Sequence, residues 1–448
     1  MTDQVRGLEV SHRKVWLLAG PIILSNVSVP LVGAVDTAVV GRLPGPEAIG
    51  AVALGALIFN FLYWGFGFLR MGTTGFVAQA LGAGDRVGLA DTLLRVLGLA
   101  LVLGLITVLL GAPVFDLAFY LIDSSDRVET LARDYVEIRI WSAPAVLAVY
   151  AFTGIFIGLH DTRSAFMLQL VLNISNVLLD LLFVLGFDWG VQGVALASLL
   201  AEYLAMGFGL WLLRGRIGRA LAGFNRARLL QRDALVALFT ANGNIFIRTL
   251  CLVFAFSYFT ARSAEQGEVT LAANAILMHL QSIMAYALDG FAHAVEALAG
   301  SAYGAARLAL FRRAVWLTSL WAALVACLAA VAYWIAGEWI IGLFTDIDAV
   351  LASALVYLPW MIIAPLVSVW SFQLDGIFIG TGHTREMRNA MIVSVVFYLL
   401  ALHWLVPWLG NHGLFLGLTL FMLIRALSLI CYFRGIESAI RVRETTTA

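Results

Sequence analysis

Charge is what this chain has least of. Only 12% of its 448 residues are Asp, Glu, Lys or Arg, against 62% hydrophobic, and the mean hydropathy is +0.93. A soluble domain carries roughly 25% charged residues, so a water-facing surface of this size is excluded. Net charge is zero, which gives no footing for a nucleic-acid partner. Cys251, Cys327 and Cys431 are odd in number and lie in apolar stretches. They support neither a disulfide frame nor a zinc cluster, and are read as small buried hydrophobes. The histidines are scattered without metal-ligand spacing, so no metal site is expected. There is no Walker loop, no His-Glu-x-x-His and no Gly-x-Ser-x-Gly, which removes ATP hydrolysis and leaves no convincing enzyme. No small-residue cleavage site follows the first apolar run, so that run is read as a permanent span and not a signal peptide.

What is present is a series of apolar runs bounded by Gly, Pro and charge, at 14–40, 48–76, 93–115, 135–158, 165–186, 191–213, 233–260, 268–300, 312–336, 350–380, 386–407 and 412–433. A spanning helix needs about 20 apolar residues. The chain is therefore expected to be an all-α polytopic membrane protein with twelve spans. Twenty basic residues fall on the side of the termini and five on the other. Positive charge is retained in the cytoplasm, so both termini are expected there, in the inner membrane of a bacterium. The one sizeable basic loop, Arg214 to Arg232, reads as a linker between bundles, with a lipid-headgroup site as the alternative.

A repeat divides the spans six and six. Gly154-Ile155-Phe156-Ile157-Gly158 recurs as Gly376-Ile377-Phe378-Ile379-Gly380, and Thr162-Arg163 recurs as Thr384-Arg385, both at an offset of 222. An even number of spans per half makes the repeats parallel, related by a pseudo-two-fold axis along the membrane normal. The expected lobes are 1–213 and 233–448, joined by 214–232, with a cleft between the two bundles. That architecture argues for transport.

Ionisable groups inside spans cost at least ~2.5–3.5 kcal/mol at the membrane centre and are functional candidates by default. Asp36, Asp180 and Ser198, on the first, fifth and sixth spans, lie roughly 6, 9 and 10 Å below the outer ends of those spans. Asn173, Asn176 and Asp180 share one helix face at i, i+3, i+7. Two carboxylates brought together in low dielectric share a proton or a cation, which is the chemistry of a coupling site. The alternative is that Asp36 caps its helix and the asparagines only bond neighbours. Pro30 lies between Asn26 and Asp36, as a switchable or a static kink. In the second half Asp289, Glu296 and Asp375 fall toward the cytoplasmic ends of their spans and are read as structural acids. Arg248, His279 and Arg425 fall mid-span with no acid of their half at that level. They are expected to face water in the cleft or to pair with Glu202.

These residues resemble the multidrug and toxic compound extrusion (MATE) transporters, in their DinF branch. The resemblance runs along nearly the whole chain. It is carried by Val35-Asp36-Thr37-Ala38-Val39-Val40-Gly41, Phe68-Leu69-Arg70-Met71-Gly72-Thr73-Thr74-Gly75, Gln79-Ala80-Leu81-Gly82-Ala83-Gly84, Gly190-Val191-Gln192-Gly193-Val194-Ala195-Leu196-Ala197-Ser198, and Leu374-Asp375-Gly376-Ile377-Phe378-Ile379-Gly380 with Glu386-Met387-Arg388-Asn389. It implies a V-shaped pair of six-helix lobes that exports small organic, often cationic compounds against protons or sodium, with no cofactor. The family's coupling set matches here as Asp36, Asn176 and Asp180, with Ser198 where relatives often carry threonine. Function as a monomer in the lipid bilayer is expected. A lipid-linked saccharide flippase, given some support by Arg248 and Arg425, is the alternative; a major-facilitator transporter fits less well, since Gly84-Asp85-Arg86-Val87-Gly88 matches its loop pattern only in part.

Overall fold

The computed structural model describes residues 9–43, 45–122 and 124–447, apart from the side chains of residues 29–32, 34, 36 and 447. All regular structure among them is helical. In chain order the elements are α1 (His12–Val40), α2 (Pro46–Gly65), α3 (Phe68–Ala83), α4 (Arg86–Leu109), α5 (Gly111–Leu121), α6 (Asp126–Arg139), α7 (Ala143–Gly158), α8 (Thr162–Asp180) and α9 (Gly190–Ala222). They continue as α10 (Arg226–Leu229), α11 (Arg232–Ala264), α12 (Glu268–Gly304), α13 (Leu308–Gly342), α14 (Asp348–Gly380), α15 (Thr384–Leu409) and α16 (Asn411–Thr447). Eleven helical segments among the described residues are long and apolar enough to cross a membrane. With the 29-residue α1, they match the twelve apolar runs one for one.

Local chemistry sets several boundaries. Pro46 and Pro144 stand in the first turns of α2 and α7, where a missing N–H costs nothing. Asp85 and Asp161 accept from the backbone N–H groups of Gly88 (2.8 Å) and Ser164 (3.3 Å), capping α4 and α8. The second apolar run is broken at Phe66–Gly67 into α2 and α3. A further correction concerns the loop expected between the third and fourth spans, which is largely helical. Amphipathic α6 joins α5 through Arg133, which pairs with Asp116 (2.9 Å) and Glu129 (3.0 Å) and lies 4.7 Å over Phe119. Charge hid these turns from a search for apolar runs.

The chain packs as two compact units. One comprises Met1–Ile23, Thr74–Gly84 and Ala237–Ala448; the other comprises Leu24–Thr73 and Asp85–Val236. Phe259, Phe291, Tyr398, Phe415 and Phe421 centre the core of the first, and Phe59, Phe115 and Tyr135 that of the second. Outside those cores, Leu109, Trp334, Ile335 and Trp408 are each more than 70% exposed. Surface of this kind needs lipid, not water, against it. Cys327 and Cys431 are also exposed and Cys251 half-buried, correcting the reading of all three as buried. On a spanning helix an apolar residue is as stable facing lipid as facing the core.

The repeat is one of structure as well as of letters. A Cβ on Gly154 would lie 2.5 Å from the carbonyl oxygen of Arg70, and one on Gly376 would lie 2.4 Å from that of Ala292. Arg70 and Ala292 are themselves 222 residues apart. In each unit the same helix crossing is close enough to admit only hydrogen at this position.

Candidate functional site

Helices α1, α8 and α9 are joined by a ladder of polar side chains. Asn173 is buried on α8; its Nδ2 donates to Ser28 Oγ on α1 (2.8 Å), and its Oδ1 accepts from Gln169 Nε2 (2.8 Å). One turn further on, Asn176 Nδ2 donates to Ser198 Oγ on α9 (3.4 Å). Asp180, 1% exposed, closes the face as the last residue of α8. The helix then widens into a π-turn over Leu181–Gly186, a local change of pitch frequent at functional sites. Asn173, Asn176 and Asp180 thus follow one another along α8, and Asn176 is tied to Ser198 of α9; amide and hydroxyl groups of this kind can offer oxygens to a cation or hydrogen bonds to a carboxyl. Asn26 is half-buried on α1. The side chains of Pro30 and Asp36 lie outside the described residues; α1 is helical through both positions.

A second set of ionisable groups lies in the same unit. Glu202 on α9 interacts electrostatically with Arg139, Tyr63 and Tyr150. Arg139 donates to Tyr135 Oη and lies 5.3 Å over the Phe59 ring. Tyr63 Oη is 3.2 Å from Ser142 Oγ. Glu202 therefore has its basic neighbour within its own unit and is not the partner expected for Arg248 and Arg425.

Those two arginines have a different partner, and this is the main correction to the reading of the sequence. Arg248 on α11 and Arg425 on α16 both donate through Nη2 to Oδ2 of Asp375 on α14, and Arg425 Nε reaches Oδ1 at 3.3 Å. All three side chains are buried. Asp289 on α12 interacts electrostatically with both arginines. Counting residues from span ends placed the acids and arginines at different depths. Helices of 33 to 37 residues extend well beyond a span, and the long guanidinium stems close the remaining gap. Glu296 is buried beside His293, whose Nδ1 is 3.6 Å from its Oε2. His279 is not part of this group; it is exposed and stacks on Phe344, ring centroids 6.0 Å apart.

Sequence reasoning passed over Arg139, Tyr63 and Tyr150. Arg139 lies near the outer end of the 135–158 run and is one of the five basic residues counted on the side opposite the termini. Only its position immediately before the uncharged stretch opening at Ile140 marks it. Asn244 is buried on α11. Its Oδ1 accepts from Arg388 (2.9 Å) and its Nδ2 donates to Thr384 Oγ1 (3.2 Å), tying α11 to α15.

The MatE family pattern matches residues 21–182 and 245–404. DNA damage-inducible protein F of Escherichia coli (strain K12) is 42% identical over 434 residues, 95% of this chain and 93% of the relative. Protein DETOXIFICATION 44, chloroplastic, of Arabidopsis thaliana is 28% identical, covering 92% of this chain and 80% of its own. Among solved structures, one described as the outward-facing conformation of a multidrug resistance MATE family transporter aligns with a TM-score of 0.87. It is 20% identical over 98% of this chain and 99% of that one, a likeness of fold alone.

Proposed function

The chain belongs to the MatE family, as a multidrug efflux transporter of the membrane and not an enzyme, and from that premise we propose that it is a secondary antiporter. It exports small organic compounds, often cationic and amphipathic, in exchange for protons or Na⁺. It works as a monomer in a bacterial inner membrane, with both termini cytoplasmic and the lobes 1–213 and 233–448 joined by 214–232. The observation that carries this reading is the polar ladder linking α1, α8 and α9 beside the buried Asp180.

Asp36 and Asp180 act as one site. Opened to the outside, it takes up a proton or Na⁺. Neutralising Asp36 lets α1 bend at Pro30, which narrows the cavity of this lobe and releases the substrate outward. Solved structures of similar fold include one described as MATE in the bent conformation and one in the straight conformation, which supports a two-state cycle. Against the flippase alternative, the guanidiniums of Arg248 and Arg425 that would bind a pyrophosphate are already engaged by Asp375.

The test is efflux from proteoliposomes under separately imposed H⁺ and Na⁺ gradients. Asp36→Asn and Asp180→Asn should each give folded protein whose efflux no longer follows the gradient. The double variant should be little worse than either, because groups acting as a unit are non-additive. Normal coupled efflux by both single variants would remove this site from the mechanism.

A further inference from the structure

The linker between the lobes is built as a surface. Helix α9 runs unbroken for 33 residues. That is about 50 Å at 1.5 Å per residue, against a hydrocarbon core of about 30 Å. Its last turns therefore leave the core and enter the headgroup zone. Trp211, 55% exposed, stands where that exit begins, and the Arg214 guanidinium lies 4.6 Å over its ring. Tryptophan at such a position marks a membrane–water interface.

Beyond Trp211 the helix carries Arg214, Arg216 and Arg219, followed by Arg226 and Arg232 across the turn, with no acid between 203 and 232. Among the described residues none of these five is held in an ion pair. Leu221, Phe224 and Leu230 are interleaved with them, each more than half exposed.

The segment is not a loose tether. Arg95 of α4 donates through Nε to the Leu229 carbonyl (3.0 Å) and through Nη2 to that of Arg228 (2.5 Å). Arg228 in turn lies 3.5 Å from Asp91. Asn225 caps α10 by accepting from Ala227 N (2.9 Å) and Arg228 N (3.2 Å). Retention of positive charge explains basic residues in a loop. It does not explain why this one is docked on α4 with large apolar side chains left uncovered.

We propose that the end of α9 and the α10 turn form a binding surface for the headgroups of anionic glycerophospholipids. The guanidinium forks of Arg214, Arg216 and Arg219 take the phosphodiester oxygens, for which they are bidentate donors. Leu221, Phe224 and Leu230 rest in the adjoining acyl boundary, as the apolar face of an interfacial helix does. The charge complementarity lies with the membrane itself, since each arginine near an anionic surface favours binding by about fivefold.

The experiment titrates the purified full-length chain in detergent with phosphatidylglycerol and with phosphatidylcholine of the same acyl chains, following bound lipid by native mass spectrometry. The wild type should prefer phosphatidylglycerol by about tenfold or more. The R214Q/R216Q/R219Q variant should bind the two within about twofold of each other. A large excess of inorganic phosphate should leave wild-type lipid binding in place. Equal binding of the two lipids by the wild type overturns the proposal, as does an undiminished preference in the variant. Displacement by inorganic phosphate assigns the arginines to free anions and overturns it too. The readout is binding, so failure of the antiport reading would leave the result standing.

Discussion

At the scale of single residues, Asp375 carries the largest consequence. It answers two buried guanidiniums at once. Removing one member of a buried ion pair costs about 3–5 kcal/mol, because the partner left behind has no water to return to. Asp375→Ala strands two arginines, whereas Arg248→Gln leaves Arg425 still paired with the carboxylate. Thermal unfolding in detergent should therefore rank Asp375→Ala well below Arg248→Gln, and equal losses would show that the two arginines do not depend on the same acid. His383 offers a second test outside the spans. Packed edge-on against Tyr303 and Phe378 and half-buried, its imidazole is held below its ordinary value by desolvation. The folded state prefers the neutral ring, so its contribution is complete above about pH 6.5 and is lost as pH falls through the lowered value. His383→Gln should flatten the fall in unfolding temperature on the acid side without changing it at pH 8. That Arg248, Asp375 and Arg425 matter was legible, since ionisable residues inside apolar runs stand out. Their pairing was not, because it depends on the tilt and overhang of three helices that no residue count supplies.

At the scale of elements, the apolar runs located every span because the membrane forces each to satisfy its own backbone hydrogen bonds. What escaped was whatever left the hydrocarbon: α5 and α6, the continuation of α9 to Ala222, and the small α10. The polar face of α8 was visible from its i, i+3, i+7 spacing, but Ser28 and Gln169 enter it only through the packing of neighbouring side chains. The Gly-Ile-Phe-Ile-Gly copies lie between these cases. The repeat was plain in the sequence, and its cause is the approach of a helix to a carbonyl in each unit. Gly376→Ala would place its Cβ 2.4 Å from the Ala292 oxygen, a backbone atom that cannot rotate away. Overpacking of this kind costs about 1–3 kcal/mol. The expected result is a lowered unfolding temperature and expression yield. Gly243→Ala, where a Cβ would meet nothing within 4 Å, should have neither effect.

At the scale of the whole molecule, orientation rests on charge alone. Counting by the twelve spans puts 20 basic residues on the side of the termini and 5 on the other. Nothing in helix packing distinguishes inside from outside, since a bundle reads the same from either leaflet; the retention of Lys and Arg does. The α9–α10 linker sharpens the test because its Arg226 is exposed and open to labelling. On the opposite side, Asp126 opens α6 and is likewise exposed. Single cysteines at 226 and 126, in a chain with Cys251, Cys327 and Cys431 replaced by alanine, should behave oppositely toward a membrane-impermeant maleimide on intact cells. Position 126 should react, and position 226 should react only after the membrane is opened. Labelling of 226 from outside would mean an odd number of spans before it or an inverted chain. An inverted chain would place the polar face of α8 toward the cytoplasm and reverse the side from which the proposed coupling proton or Na⁺ enters.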